Sequence, residues 1–347
     1  MDLKEFMSAE KAHVEREIEA FMALEKGRSP DDALIGRSVE FLAEFTLRES
    51  KRVRSILMIM GYIACGGRDV ERIRRASVSM ELIQSMLLIH DDLMDGSDMR
   101  RGGPSFHRLF GGPDPSNGSL GRSMALINGD LAESMAENVL ASSGFPPRRC
   151  ISAIKAQSEM VRDTGYGQVL DVSIFGRKDV TEEDIERLQY YKTAVYTVCG
   201  PLRIGALLAG ARKGQLKALD AYAAPVGVSF QIIDDVLGFY GDPKKGGPSD
   251  ISDLKEGKRT FMLLDLLGSC TEEERSYVNR MVGSPDLTLE DVKRIRTLAR
   301  SYGVDAMSRD RARVKVEKGG AALEGSDLDP MMKGYLIRIA NDLLERA

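Results

Sequence analysis

The sequence predicts an all-α protein. Three observations carry that expectation. Apolar residues recur at three- and four-residue spacing from end to end, no stretch sustains the period-two alternation of a half-buried strand, and two segments open on a polar cap followed by acids. In chain order, breaks fall at Gly27 to Pro30, Gly66-Gly67, Arg101 through Pro115, Gly144 to Pro147, Gly241 to Asp250, and Gly283 to Pro285. The pieces between them have the length of helix pairs. Met80, Ile83, Leu87 and Leu88 step along one helix face, and Leu126, Leu131, Met135 and Val139 do so less strictly. Thr181-Glu182-Glu183-Asp184 and Thr288-Leu289-Glu290-Asp291 read as helix starts, with an N-cap hydroxyl and acids facing the positive end of the helix dipole. No stretch is long or polar enough to be a domain linker, so residues 1–347 read as a single domain.

Composition narrows the function. The 347 residues include 49 Lys+Arg against 53 Asp+Glu, a net charge of −4, with 43% hydrophobic and 29% charged residues. That is an ordinary globular balance, and it lacks the basic surplus that wrapping nucleic acid requires. Local basic clusters still suit small phosphate-bearing ligands. Cys65, Cys150, Cys199 and Cys270 are scattered with no C-x-x-C pair, which points to a reducing compartment and away from structural zinc. His13, His90 and His107 lie too far apart for an H-E-x-x-H site. The first residues show no basic region leading into an apolar core. The longest apolar stretch, Ile56 to Cys65, is interrupted by Gly61 and is far short of the ~18–20 residues of a membrane helix. The cytoplasm is the expected location, without a transmembrane segment.

The most informative segment runs from Ile89 to Pro104. It continues the apolar helix that begins near Met80 and ends in Asp91, Asp92 and Asp95. Asp91 and Asp95, four apart, lie one turn above each other on one face, with Asp92 about 100° away. Like charges at that spacing repel, and a cation offsets them. Oxygen-only ligands favour Mg²⁺ shared with a phosphate. The bland alternative is a solvated acidic helix end, but these acids follow an apolar run instead of an amphipathic surface face. Arg100-Arg101-Gly102 then supplies guanidinium groups suited to phosphate just beyond the helix.

A second apolar helix closes the same way, in Phe230-Gln231-Ile232-Ile233-Asp234-Asp235. Two such acid pairs would converge if their helices pack side by side, and together they suit several divalent ions held against one diphosphate. Between them lie Gly167 to Asp171 and Lys192-Thr193, upstream is Ser50 to Arg54, and downstream is Gly257-Lys258-Arg259-Thr260. Each element alone carries little weight. Their order carries much.

That order resembles the trans-isoprenyl diphosphate synthase (polyprenyl synthetase) family over nearly the whole chain, and its archaeal-type geranylgeranyl diphosphate synthases in particular. The family's first aspartate-rich motif is matched by Asp91 to Asp95 with Arg100-Arg101-Gly102. Its Gly-Gln-x-x-Asp is matched by Gly167 to Asp171, its Lys-Thr by Lys192-Thr193, its second motif by Phe230 to Asp235, and its Gly-Lys-x-Thr by Gly257 to Thr260. Three places depart. The early Gly-Gly-Lys-x-x-Arg-Pro reads Glu49 to Ser55, keeping Lys51 and Arg54 but not the glycines and proline. Gly238 stands where many members carry a third aspartate. The loop lysine after the second motif falls on Pro248, with Lys244 and Lys245 nearby.

The resemblance implies a single large helical bundle with a central active-site cavity, a homodimer, and Mg²⁺-dependent (or Mn²⁺-dependent) head-to-tail prenyl transfer. The implied substrates are isopentenyl diphosphate and an allylic diphosphate: dimethylallyl, geranyl or farnesyl. Asp91, Asp95 and Asp234 would hold the metal, with Asp92 and Asp235 supporting or sharing ligation. Arg100, Lys192 and Lys258 would contact the allylic diphosphate. Lys51, Arg54 and Arg101 would hold isopentenyl diphosphate, with Gln84 as a polar contact, while Gln231 and Thr193 would turn oxygen dipoles toward the allylic cation. His90 reads as a residue flanking the metal acids, and His107 as either a phosphate contact or a loop hydrogen bonder. Product length would be set along the helix that ends in the first motif. Met86 lies five residues before Asp91, about 7.5 Å down the helix. Met86 and Leu87 are medium-sized, with Ile83 and Met80 deeper, which implies a C20 product, geranylgeranyl diphosphate, ahead of C15 and longer chains. A terpene cyclase is disfavoured by only 6% aromatic residues and no Trp. A non-catalytic partner subunit is disfavoured by the intact first motif.

Overall fold

The computed structural model describes residues 2–112, 117–174, 177, 179–240 and 252–345. Helices dominate as the periodicity requires. Helix α1 (Leu3–Arg28) opens on a reciprocal capping box between Asp2 and Glu5, and α2 (Ala33–Leu47) on the Asp32 carboxylate. Next come α3 (Val53–Ala64), which contains most of the apolar stretch read from Ile56, and α4 (Val70–Met94), capped by Asp69. A two-stranded antiparallel hairpin, β1 (Met99–Arg100) and β2 (Gly103–Pro104), pairs Met99 with Pro104 and Arg100 with Gly103. It is followed by α5 (Phe106–Gly111), α6 (Gly118–Ala141) and α7 (Pro147–Ile174). Helix α8 (Glu182–Gln189) runs directly into a π-helix, Tyr190–Cys199, then α9 (Gly200–Ala209) and α10 (Lys213–Tyr240). The chain closes with α11 (Ser252–Lys255), α12 (Phe261–Ser269), α13 (Glu272–Met281), α14 (Leu289–Ser301), α15 (Val304–Ala322) and α16 (Pro330–Leu344).

Both threonine caps read from the sequence form as capping boxes, Thr181 with Asp184 and Thr288 with Asp291. Two expectations need correction, and one element lay outside any expectation. The break between Arg101 and Pro115 contains β2 and α5, because Phe106 and Phe110 bury themselves against the protein and draw the chain into a short helix. The stripe Leu126, Leu131, Met135 and Val139 is not the inward face of α6. Leu126 and Leu131 are exposed, Met135 is partly buried, and of the four only Val139 is buried; the helix otherwise buries Met124, Asn128 and the small residues Ala125, Gly129, Ala132 and Ala136, which allow close approach to α4. The π-helix had no sequence signal.

The described residues form two compact units, Met1–Ser158 with Pro201–Arg212, and Glu159–Gly200 with Lys213–Ala347. In the first, α4 is the central element, packed against α6, α3 and α1. Ala76 through Met86 is buried without interruption. A helix buried on every side must be apolar all round or have its polar groups satisfied within the protein. Met80, Leu82, Ile83 and Met86 supply the apolar part, about 1.5–3 kcal/mol each. Glu81 pairs with Arg52, and the Ser85 hydroxyl bonds that of Thr46 at 2.8 Å. In the second unit, α10 packs against α15 and the π-helix. One core gathers Ile185, Leu188, Ala194, Val228, Ile232 and Phe261, and another gathers Val236, Phe239, Leu263, Leu266 and Ile295.

Candidate active site

In the first unit, the acids Asp91, Asp92 and Asp95 close α4, with Asp95 as its C-cap. A helix C-terminus carries the negative end of the dipole, so the dipole and mutual repulsion both disfavour three carboxylates there. Positive charge must offset them. Part of it comes from Arg100: its Nε donates to Asp92 Oδ1 at 2.7 Å, its Nη2 also pairs with that oxygen, and it approaches Asp91 at 3.9 Å. Asp92 is fully buried, and burial raises its carboxyl pKa against the opposing pull of Arg100. Its Oδ2 is buried without a hydrogen-bond partner among the described residues. Asp91 and Asp95 are more open, Asp91 partly buried and Asp95 exposed.

The cations beside this helix are held by residues the sequence reading overlooked. Arg48 Nη1 donates to the Arg100 and Pro104 carbonyls at 2.9 and 2.8 Å, clamping the hairpin that carries Arg100 and Arg101. Gly103 leaves room for that guanidinium: a Cβ there would lie 2.8 Å from Arg48 Cζ and push it off the two carbonyls. Arg101, at φ 50°, sits at the tip of that turn. Burial lowers its pKa, and the neighbouring Arg54, Arg52 and Arg100 guanidiniums lower it further against Glu81. Such a crowd of positive charge is an anion site in waiting. Arg52, in the left-handed region at φ 51°, is the N-cap of α3 and provides no side-chain cap. Its side chain turns inward to Glu81 at 2.9 Å and to the Thr46 and Arg48 carbonyls at 2.7 and 3.1 Å. That anchor sets Lys51, exposed, and Arg54, half-buried, on either side of the helix start. Gln84 is buried in α4, and its Oε1 has no partner among the described residues.

Leu87 lies one turn beneath Asp91 on the same stripe of α4 and is half-buried, with Ile83 a turn deeper and Met80 beyond. Met86 occupies a different flank. It sits one turn beneath His90, whose Nε2 donates to the Leu126 carbonyl of α6 at 3.3 Å, and it is buried. His107 Nδ1 lies 3.4 Å from the Ser105 hydroxyl, a contact inside its own loop.

In the second unit, Gly167 brings α7 against the π-helix: a Cβ at that position would collide with the Lys192 backbone nitrogen. The same approach lets Lys192 pair with Asp171. The spacing Gly-x-x-x-Asp opposite a lysine therefore has a packing reason. Thr193 Oγ1 donates to Gln231 Oε1 at 2.7 Å, and Gln231 Nε2 donates to Asp235 Oδ1 at 2.7 Å. Gln189, which the sequence reading missed, donates to Asp235 Oδ2 at 2.8 Å. Asp234 is half-buried beside it. Lys258 pairs with Glu256 at 2.9 Å, and Thr260 caps α12 through Leu263 N, so the threonine of Gly-Lys-x-Thr is a helix start. Pro248, Lys244 and Lys245 lie outside the described residues.

Among the described residues no three His, Cys, Asp or Glu side chains converge tightly enough to enclose an ion unaided. Magnesium does not require that, since it keeps several waters and takes one or two carboxylates plus substrate phosphates. The donor chemistry fits: every acidic candidate offers carboxylate oxygen alone, and Asp92 Oδ2 is a buried acceptor without a donor among the described residues.

The polyprenyl synthetase family model matches residues 38–299. The geranylgeranyl diphosphate synthase of Saccharolobus solfataricus is 31% identical over 256 residues, 73% of this chain and 74% of that protein. A short chain isoprenyl diphosphate synthase of Methanothermobacter thermautotrophicus is 31% identical over 302 residues, 85% of this chain and 86% of its own. Among solved structures, a geranylgeranyl pyrophosphate synthase of Corynebacterium glutamicum, complexed with isoprenyl diphosphate and magnesium, superposes with a TM-score of 0.90 at 29% identity over the whole of both chains. An all-helical fold, a matching family model and relatives spanning most of the chain agree, and this chain belongs to the polyprenyl synthetase family.

Proposed function

We propose that the protein is a trans-isoprenyl diphosphate synthase: it joins isopentenyl diphosphate to an allylic diphosphate and releases geranylgeranyl diphosphate. The observation that carries this reading is the acid cluster at the negative end of α4 beside the arginine crowd of Arg101, Arg54 and Arg100, partly buried, and Arg52, buried. That arrangement supplies a cation-dependent diphosphate site and a second anion site on one scaffold. The product follows from the geranylgeranyl diphosphate synthases of Saccharolobus solfataricus and Corynebacterium glutamicum and from the absence of an aromatic ring at Met86 and Leu87.

Breaking the allylic C–O bond leaves negative charge growing on diphosphate, and preorganised positive charge aimed at it lowers the barrier. Asp91, Asp95 and Asp234 would hold magnesium, with Asp92 and Asp235 in support. When bound, the metal neutralises the departing diphosphate. Arg100, Lys192 and Lys258 contact that diphosphate, and Lys51, Arg54 and Arg101 with Gln84 hold isopentenyl diphosphate. The oxygens of Thr193 and Gln231 face the allylic cation. No side chain is assigned as base, and the proton leaves with the departing diphosphate. The whole chain works as one synthase domain in the cytoplasm. The protein pairs as a homodimer, supported by the apolar side chains that α6 leaves exposed at Leu120, Leu126, Ile127 and Leu131. No described helix is long and apolar enough to cross a membrane.

The test is incubation of pure protein with Mg²⁺, radiolabelled isopentenyl diphosphate and separate allylic primers, followed by chromatography of dephosphorylated products. Labelled geranylgeraniol is expected. A cyclic hydrocarbon formed without label, or no turnover with any primer, would overturn the proposal. Light scattering should report a dimer, and a species near 38 kDa at micromolar concentration would refute that part.

A further inference from the structure

The junction between α8 and the π-helix holds an arrangement that the family motifs do not cover. Gln189 is the last residue of α8 and is buried at 4% exposure. Its amide nitrogen donates to Asp235 Oδ2 at 2.8 Å, while Gln231 donates to the other oxygen of the same carboxylate at 2.7 Å. An ionised carboxylate only accepts hydrogen bonds, so both glutamine amides must turn their NH₂ groups toward it. With Gln231 fixed that way, its Oε1 faces Thr193 and accepts that hydroxyl's hydrogen at 2.7 Å. The Thr193 hydrogen is then committed, and the lone pairs of Oγ1 are turned away from Gln231. Gln189 does this at a cost to itself: its own Oε1 is buried with no hydrogen-bond partner among the described residues. A buried acceptor left unsatisfied is rare and calls for an explanation beyond packing.

The backbone gives the arrangement its purpose. Directly after Gln189 the helix changes from i→i+4 to i→i+5 bonding, and the π-helix carries Lys192 and Thr193. A π segment is a strained form, and tying its first turn to α10 through Asp235 holds the phase of the side chains that follow.

We propose that Gln189 is a positioning residue: it holds Asp235, Asp235 orients Gln231, and Gln231 orients Thr193, so that Asp235 serves as an anchor for these dipoles and not as a metal ligand. This rests on the prenyl-transfer reading, in which Thr193 and Gln231 face the allylic cation. The chain acts on the transition state and not on isopentenyl diphosphate binding.

Two changes in the full-length enzyme test it. Gln189→Met keeps the length and removes the donor, and should lower kcat about 10–100-fold, the scale of losing an outer partner, with the KM for isopentenyl diphosphate unchanged within twofold. Gln189→Glu sets carboxylate against carboxylate and should be worse. Adding Asp235→Asn to it restores the chain with its polarity reversed: the asparagine oxygen accepts from Gln231 and its NH₂ donates to the introduced carboxylate. That double variant should recover most of the lost kcat. Failure to recover, while wild type is active, would show that Asp235 acts as a ligand and would overturn the proposal, as would Gln189→Met turning over like wild type. Amide hydrogen exchange across residues 190–199 is read on the same proteins. It should rise in Gln189→Met and fall back in the double variant. Wild type that makes no prenyl diphosphate defeats the functional reading, and in that event unchanged exchange in Gln189→Met defeats this inference separately.

Discussion

Replacing Arg52 by methionine tests whether the basic run before α3 is built on a buried ion pair. The Arg52 side chain is fully buried, and its partner Glu81 is 4% exposed at 2.9 Å. Removing one member of such a pair leaves the other charge stranded, which costs about 3–5 kcal/mol. The Thr46 and Arg48 carbonyls lose donors as well, at about 1 kcal/mol each, partly overlapping that figure. Left-handed backbone at φ 51° remains strained with methionine, so nothing offsets the loss. The double variant Arg52→Met/Glu81→Met removes both charges. It should then cost only about 2 kcal/mol, chiefly the two orphaned carbonyls, because an apolar pair of similar volume replaces a buried ion pair at little penalty. Glu15, which Arg52 also approaches at 3.4 Å, is partly exposed to water, and the Ser55 hydroxyl that bonds Glu81 keeps the Ser77 carbonyl. Urea unfolding followed by far-UV circular dichroism measures both. The single variant should be clearly less stable than the double. A single variant within about 1 kcal/mol of wild type, or a double variant showing the summed losses of both single changes, would refute the buried-pair reasoning. The same single variant should raise the KM for isopentenyl diphosphate, because Lys51 and Arg54 flank the anchor.

Activity should vanish in EDTA, and Asp91→Ala or Asp234→Ala should each lower turnover roughly 10²-fold or more, the scale of losing one electrostatic stabiliser; full activity in chelator would contradict the metal role. Arg100 and Arg101 should fail differently. Arg100→Ala releases the buried Asp92 and should chiefly harm use of the allylic primer, whereas Arg101→Ala should raise the KM for isopentenyl diphosphate. Equal effects on both substrates would remove the distinction. Met86→Phe should shorten the product and Met86→Ala lengthen it. Leu87→Phe, about 6 Å beneath Asp91 on its own stripe, should shorten it at least as strongly. Chromatography showing one unchanged chain length in all three would place the floor elsewhere.

What could be read from the sequence was whatever depends on local spacing. Helical periodicity, the Thr181 and Thr288 caps, and acids ending an apolar helix at Asp91 and Asp95 follow from the geometry of a single helix, and each stands in the structure as expected. The ordered motifs identified the family for the same reason, since order along the chain is itself a sequence property. Partner choice was decided only by tertiary structure. Leu126 and Leu131 look like core by spacing, yet the small residues of α6 face α4, because close helix packing selects for small side chains where two backbones approach. Arg52 looks like one more exposed cation in a basic run, but a left-handed φ turns it inward to Glu81, 29 residues away. Gln189 carries no local mark at all. It acquires its role from Asp235, 46 residues distant, and from a π-helix whose extra residue per turn has no signature in the pattern of apolar positions. Burial and long-range hydrogen bonds depend on which surfaces meet, and only the folded chain determines that.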